Sequence, residues 1–141
     1  MSADHKNLVR RWFEQVWNQG RADAVDEMMA PDATAHGLGP DLRGPKEFKA
    51  FQATFREAFP NLQIDIDDLV AEGDKVAYRW TASARHDGHF MGIAPTGKSS
   101  QFTGMGIVRV KDGRIAEGWN VFDQLTMLQQ LGIIDAPAIQ A

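Results

Sequence analysis

The spacing of hydrophobic residues changes near residue 60, and this change constrains the fold more than any other feature. Before residue 60 apolar residues recur about every four positions, as in amphipathic helices, and after it they alternate, as in half-buried strands. Helices that precede strands, instead of alternating with them, indicate an α+β domain and not a doubly wound sheet. A chain of 141 residues can bury about two thirds of its unfolded surface. We therefore predict one domain, residues 1–141, in which N-terminal helices and a strongly curved antiparallel sheet enclose an apolar pocket.

Three helices are predicted in the first part of the chain. The first runs from Asp4, a suitable N-cap residue, to just before Gly20. The second is short and covers roughly residues 22–29. The third has Pro45 in its first turn and ends at Pro60. One stripe of this third helix presents four aromatic rings to the core: Phe48, Phe51, Phe55 and Phe59.

The second part of the chain predicts two long β-hairpins. Glu72-Gly73-Asp74-Lys75 suits the first turn, and Lys111-Asp112-Gly113-Arg114 suits a type I′ turn in the second. The Gly-rich residues 87–98 between the hairpins should form an ordered loop at the end of the sheet. A short strand around residues 33–36 should join the sheet, and a terminal turn of helix is expected over residues 125–131.

Composition excludes several classes of function. The chain has no cysteine, so disulfides, thiol catalysis and zinc–thiolate sites are excluded. Its net charge of −4, with scattered Lys and Arg, makes nucleic acid an unfavourable partner. Since no apolar run has the length of a membrane span, we expect a cytoplasmic protein without a membrane partner. The sequence contains no metal-ligand spacing, phosphate loop or dinucleotide fingerprint, so we expect neither a metal nor a cofactor.

Strict pairing across a two-residue turn predicts which residues of the last hairpin share a face. It places Asp123 opposite Phe102, Val121 opposite Gly104, Trp119 opposite Gly106 and Glu117 opposite Val108. Glycines that face bulky side chains leave volume for a ligand, although glycines also simply allow a sheet to bend. A bulge in the hairpin would shift this register. We predict a small hydrophobic ligand in contact with Trp80, Phe102, Gly104, Gly106 and Trp119.

Asp123 is the first candidate for catalysis. A carboxyl group beside Trp119 and Phe122 in an apolar pocket would have a raised pKa and could act as a general acid or base. The alternative is that Asp123 caps the terminal helix, which would lower its pKa.

Two histidines are further candidates. His86 ends the strand that carries Tyr78 and Trp80 at matching parity, so its ring could enter the same pocket and relay a proton. The alternative is a half-exposed histidine at a strand end. His36, on the short first strand, is a second candidate for the pocket. Arg79 should lie opposite Asp68, as an ion pair on a solvated sheet face or as an orienting group.

Several segments, taken in their order and spacing, resemble the SnoaL-like polyketide cyclase family of the nuclear transport factor 2-like superfamily. They are residues 12–20, Ala58-Phe59-Pro60, residues 71–76, Pro95-Thr96-Gly97-Lys98, residues 112–119, Asp123 and residues 128–132. The resemblance implies a cone-shaped α+β fold and a cofactor-free intramolecular aldol cyclisation of a polyketide ester. It also implies that Asp123 removes a proton from an activated carbon and then protonates the new alkoxide.

The resemblance also relates His86 to the histidine before a Gly-x-Phe segment, here Gly88-His89-Phe90. This chain has Ala84-Arg85-His86 where relatives commonly have Gly-Thr-His. An isomerase, a dehydratase, an epoxide hydrolase and a noncatalytic binding module stay open as alternatives, because one scaffold hosts many chemistries. Members of this family commonly dimerise through the outer sheet face, so a homodimer or higher homo-oligomer is expected.

Overall fold

Four α-helices and six strands make up the computed structural model, which describes residues 2–135. The outermost residues of the predicted domain, 1 and 136–141, lie outside this description. The helices are α1 (Ser2–Arg11), α2 (Ala22–Met28), α3 (Gly44–Ala58) and α4 (Gln124–Gln130), and a π-helical segment (Trp12–Asn18) continues α1. The strands are β1 (Met29–His36), β2 (Leu42–Arg43), β3 (Gln63–Glu72), β4 (Lys75–Arg85), β5 (Ser99–Lys111) and β6 (Arg114–Phe122).

The strands form one open mixed sheet in the order β2-β1-β6-β5-β4-β3. β1 pairs with β6 in parallel, and the other pairs are antiparallel. This architecture confirms the predicted α+β class. β1 is longer than the predicted residues 33–36, because it begins directly after α2, and the two-residue β2 is too short to show any periodicity.

The first helical run is continuous, as predicted, but its second half is π-helical. The apolar pairs that recur every four residues are all buried: Leu8, Val9, Trp12, Phe13, Val16 and Trp17. At the end of the π segment the backbone bond from Gln19 N reaches back five residues to Glu14 O. The buried side chain of Gln52 on α3 donates to Val16 O at 2.9 Å and to Arg21 O at 3.1 Å. α3 thus supplies a donor to one carbonyl group at the end of the irregular helix and to another at the start of α2.

The turn between β5 and β6 has the predicted geometry, but the register beyond it differs. Asp112 and Gly113 both have positive φ, 52° and 76°, as a type I′ turn requires. A bulge then shifts the pairing between Arg109 and Val110, so that Val110 pairs with Ile115 but Arg109 pairs with Glu117. The predicted register is therefore wrong by one residue for four residues of this hairpin: Glu117, Trp119, Val121 and Asp123. Strict alternation would have turned Glu117 to the inner face with Ile115, and the bulge avoids burying that carboxylate.

The inner face of the sheet, covered by the helices, holds the hydrophobic core. Within residues 2–135, no helix is both long and apolar enough to cross a membrane.

Candidate ligand-binding site

A cavity of about 80 Å³ lies between the helices and the inner face of the sheet. Its helical wall consists mainly of aromatic rings from the π-helical segment and α3: Trp12, Phe13, Trp17, Phe48, Phe51 and Phe55. Trp17 contacts Phe48, Phe51 and Phe55 edge-on, with 5.9 Å between ring centroids in each pair. Edge-to-face packing of this kind fixes the ring positions and leaves a wall without hydrogen-bonding groups except indole N–H groups.

The sheet wall carries the larger share of the polar groups. Tyr78 and Trp80 come from β4, Phe102 from β5, and Asn120 and Phe122 from β6. Two predicted contacts, Trp80 and Phe102, therefore line the cavity.

The two predicted glycines lie beneath aromatic side chains of β4. Gly104 pairs with Trp80 and Gly106 with Tyr78. A Cβ atom added to Gly104 would collide with the indole of Trp80, and one added to Gly106 would collide with the phenol of Tyr78. The prediction of empty volume above these glycines is wrong, because side chains of β4 fill that volume. The glycines instead let Tyr78 and Trp80 lie close to the sheet.

Tyr78 and Asn120 form a hydrogen-bonded pair in the cavity wall. Tyr78 Oη donates to Asn120 Oδ1 at 2.6 Å, and Asn120 Nδ2 donates to the carbonyl oxygen of His36 at 3.3 Å. Gly37, with φ of 90°, lets the chain pass against the backbone of Asn120, where a Cβ atom would collide. Burial raises the pKa of Tyr78 above its usual range, so the phenol is neutral. Among residues 2–135, the cavity lining includes no carboxylate and no imidazole.

Asp123 lies outside this lining and caps α4. Its Oδ1 accepts from Thr126 N at 3.0 Å, and its Oδ2 accepts from the Thr126 hydroxyl at 2.6 Å. These two hydrogen bonds lower the pKa of the exposed carboxyl group. The predicted upward shift of the pKa is therefore wrong, and the alternative of an N-cap is confirmed. The catalytic role of Asp123 stays a prediction.

His86 is completely buried behind the cavity, not in it and not half exposed. Its ring packs against Phe59 at 5.6 Å, and its Nδ1 accepts from Thr96 N at 3.3 Å. His86 Nδ1 also lies 3.1 Å from the Thr96 hydroxyl, and Nε2 has no hydrogen-bond partner in the described part of the chain. Backbone hydrogen bonds also join His86 to Gly97 and Lys98, and these contacts hold the end of the loop over residues 87–98 against His86. This position makes His86 a support of the loop, and its catalytic role stays a prediction.

His36 and Trp119 lie on the outer face of the sheet, away from the cavity lining. The shifted register turns Trp119 outward, where the ring of His36 stacks on it at 5.7 Å. His36 Nε2 lies 2.7 Å from Glu117 Oε2, and His36 Nδ1 lies 3.0 Å from Asp41 Oδ1. The hydrogen bond to Glu117, followed by that to Asp41, raises the pKa of His36. These contacts form an outer charged cluster that does not face the cavity.

The predicted pairing of Arg79 with Asp68 is confirmed, with 2.7 Å between Arg79 Nη2 and Asp68 Oδ2 on the exposed face. No group of three His, Asp or Glu side chains able to hold a metal ion occurs within residues 2–135.

Comparison with known proteins identifies the family. The family model described as SnoaL-like polyketide cyclase matches residues 7–131. This chain belongs to that family. The chain is 30% identical over 133 residues to aklanonic acid methyl ester cyclase DnrD of Streptomyces peucetius, covering 89% of each chain. It is 30% identical over 126 residues to nogalonic acid methyl ester cyclase of Streptomyces nogalater, covering 83% of this chain and 90% of the relative. The crystal structure of AclR from Streptomyces galilaeus superposes with a TM-score of 0.86 at 28% identity, covering 98% of this chain and 87% of AclR.

Asn120 is the residue of this SnoaL-like site that the sequence pattern missed. Strict alternation from the turn placed it on the outer face, and the bulge turns it inward. One signal was present in the sequence: the same alternation would have placed Glu117 on the buried face beside Ile115. A buried unpaired carboxylate is costly, so the pattern itself indicated a shift between these two residues.

Proposed function

We propose that this SnoaL-like chain is a cofactor-independent enzyme that closes a ring in a hydrophobic polyketide-like carbonyl compound by intramolecular aldol condensation. The observation that carries the proposal is the partly open aromatic cavity, in whose sheet wall Tyr78 and Asn120 form a neutral hydrogen-bonded pair. The comparisons support the choice of reaction, because the relatives are named cyclases of aklanonic acid methyl ester and nogalonic acid methyl ester, and the family is described as polyketide cyclases. We therefore propose an ester of this class as the substrate.

The cavity would contribute mainly by positioning. Two reacting carbons of one flexible chain meet rarely in water, and holding them in contact supplies much of the rate enhancement of an intramolecular reaction. The aromatic walls offer apolar surface to fold the chain against, and Tyr78 and Asn120 offer hydrogen bonds that orient one oxygen atom.

An aldol condensation also needs a group that removes a proton from carbon and returns one to the alkoxide. Asp123 is our candidate, because it follows Phe122, which lines the cavity. The proposal requires its carboxylate to leave Thr126 and turn inward. Its lowered pKa makes it a weak base in its capping position.

A noncatalytic ligand-binding module is the second candidate. It is favoured by the capping role of Asp123 and by the cavity lining, in which residues 2–135 supply no carboxylate or imidazole. In this case the cavity would bind the ligand without changing it.

Turnover of aklanonic acid methyl ester and nogalonic acid methyl ester separates the two candidates. Each ester is incubated with the purified chain, and products are followed by liquid chromatography with mass spectrometry. Asp123→Asn, which keeps a capping oxygen but cannot accept the proton, should lose turnover, while Asp112→Asn in the exposed β5–β6 turn should keep it. Full turnover by Asp123→Asn would exclude Asp123 as the base. Binding of the esters without product would favour the binding module.

A further inference from the structure

The direction of the Tyr78–Asn120 hydrogen bond is set by the backbone of β1. The carbonyl oxygen of His36 carries no proton, so the terminal atom of Asn120 that faces it, at 3.3 Å, must be the NH₂ group. The other terminal atom, Oδ1, then faces Tyr78 Oη at 2.6 Å. Since Oδ1 is an acceptor, the proton of Tyr78 is committed to Asn120.

This commitment leaves the phenol oxygen of Tyr78 as an acceptor. A neutral phenol has one proton and can also accept, and no described side chain donates to Tyr78 Oη. The phenol lies in the cavity wall and is 5% exposed. A ligand atom that reaches it therefore meets an acceptor in a largely dry environment, where an unmatched polar group is costly.

We infer that the cavity selects ligands that present a hydroxyl group, as a phenol or an enol, to Tyr78 Oη over ligands that present a carbonyl oxygen there. A hydroxyl donates to Tyr78 without disturbing Asn120. A carbonyl oxygen either faces another acceptor or takes the proton of Tyr78 and leaves Asn120 Oδ1 without a donor. The enol of a carbonyl compound, which is the nucleophilic form in an aldol reaction, carries the selected group. The inference rests on the proposed function in taking this cavity as the ligand site.

Calorimetric titration with three bicyclic probes of similar size tests this selection at pH 7. The probes are 1-naphthol, 1-methoxynaphthalene and 1-tetralone, which present a hydroxyl, an ether and a carbonyl oxygen. We expect 1-naphthol to bind at least about tenfold more tightly than the other two, the range for leaving one buried polar group unmatched.

Two variants change the direction of the hydrogen bonds. Tyr78→Phe removes the acceptor and should reduce the preference for 1-naphthol to about twofold or less. Asn120→Leu has a similar shape and frees the proton of Tyr78, so the preference should shift toward 1-tetralone by about tenfold relative to the unmodified chain. Thr103→Val removes a hydroxyl from the exposed face of the same sheet and should leave the preference unchanged. Near-ultraviolet circular dichroism establishes that each variant is folded.

Three outcomes would each overturn the inference. They are equal affinity for 1-naphthol and 1-tetralone, an undiminished preference for 1-naphthol in Tyr78→Phe, and no binding of any probe. The ester turnover assay is independent of this outcome. A tenfold preference for 1-naphthol without ester turnover supports the inference and counts against the cyclase. Ester turnover without this preference supports the cyclase and overturns the inference.

Discussion

His36 is held between the carboxylates of Asp41 and Glu117, and the pKa values of His36 and Glu117 are shifted in opposite directions. Glu117 and then Asp41 raise the pKa of His36, and His36 is the main cause of the lowered pKa of Glu117. The raised histidine pKa stabilises the fold fully below its unfolded value of about 6.5, and this stabilisation is lost as pH rises through the folded pKa. The lowered Glu117 pKa stabilises the fold above its unfolded value and ceases to do so as pH falls through the folded one. The cluster is therefore most stabilising between the two folded pKa values.

His36→Gln should lower the urea midpoint of unfolding at about pH 6, where His36 is charged. The difference from the unmodified chain should shrink as pH rises through the raised pKa of His36, where the ring loses its proton. Chemical denaturation below and above this pKa measures this, and His89→Gln in the exposed loop is the matched control. An equal decrease in the urea midpoint at both pH values would show that His36 stabilises the fold by packing on Trp119 and not by its charge.

Asp123→Ala should lower the stability of the chain, while Asp123→Asn should retain most of it, because both Asp and Asn accept from the backbone N–H of Thr126. A lowered carboxyl pKa stabilises the fold above its unfolded value, so the effect of Asp123→Ala should become smaller as pH falls through the folded pKa, to what a neutral capping oxygen contributes. Urea titrations at neutral and acidic pH measure both changes. An effect of Asp123→Ala that does not decrease at acidic pH would contradict the lowered pKa, and a loss at neutral pH no larger than that of Asp123→Asn would contradict the capping account.

Individual side chains were the least predictable part of this molecule from its sequence. Trp80 and Phe102 line the cavity as expected, because they follow the alternation on β4 and β5. His86 was placed at the correct strand end, but its burial depends on how residues 87–98 fold over it. Asp123 has a sequence context that fits both a cap and a base, and only its orientation toward Thr126 shows which contact it makes.

At the scale of elements, Gln52 connects α3 to the end of the π-helical segment. It is 3% exposed, and Gln52→Leu would leave the carbonyls of Val16 and Arg21 without this donor. We expect a loss of about 1–3 kcal/mol in the free energy of unfolding, the range for leaving a buried polar group unmatched. Urea denaturation measures this loss. Thr54→Val on the exposed side of α3 is the control, and a loss no larger than that of the control would contradict the account.

The helices and long strands were predictable because their hydrophobic periods differ clearly. The Asp112-Gly113 turn was predictable because both residues tolerate positive φ. The π geometry was not predictable, since pairs of apolar residues four apart suit both kinds of helix. The bulge in β5–β6 depends on the competition between turn register and burial of Glu117, which a pairing rule alone does not weigh.

At the scale of the whole molecule, the outer face of the sheet exposes an apolar patch of five side chains: Val70, Met105, Ile107, Trp119 and Val121. Pairs across β5 and β6 make the patch contiguous, since Met105 lies opposite Val121 and Ile107 opposite Trp119. The charges beside it are paired within the chain, as in Arg79–Asp68 and Arg109–Glu117. A second copy can therefore meet this face without strong like-charge repulsion, and we expect a two-fold homodimer through it.

Ile107→Glu places a carboxylate in the centre of this patch and should convert a dimer to a monomer. Sedimentation velocity over a range of protein concentrations measures the change, with Val70→Glu at the edge of the patch as a milder control. A monomer at all concentrations before any substitution would exclude the expected dimer.

The bulge that follows Arg109 has a consequence for how this site could diverge. β6 carries two sets of residues. Gly118, Asn120 and Phe122 face the cavity, while Glu117 and Trp119 face outward together with Val121, which is largely exposed but also borders the cavity. Deleting the extra residue, Ala116, would remove the bulge but leave Glu117 opposite Arg109, so both sets would keep their faces. Inserting one further residue before Glu117, with the bulge retained, would instead exchange the two sets without altering any of these residues. One codon gained here is therefore enough to replace a neutral amide by a carboxylate and an indole inside the cone, and insertions in this hairpin are a route to new chemistry on an unchanged scaffold.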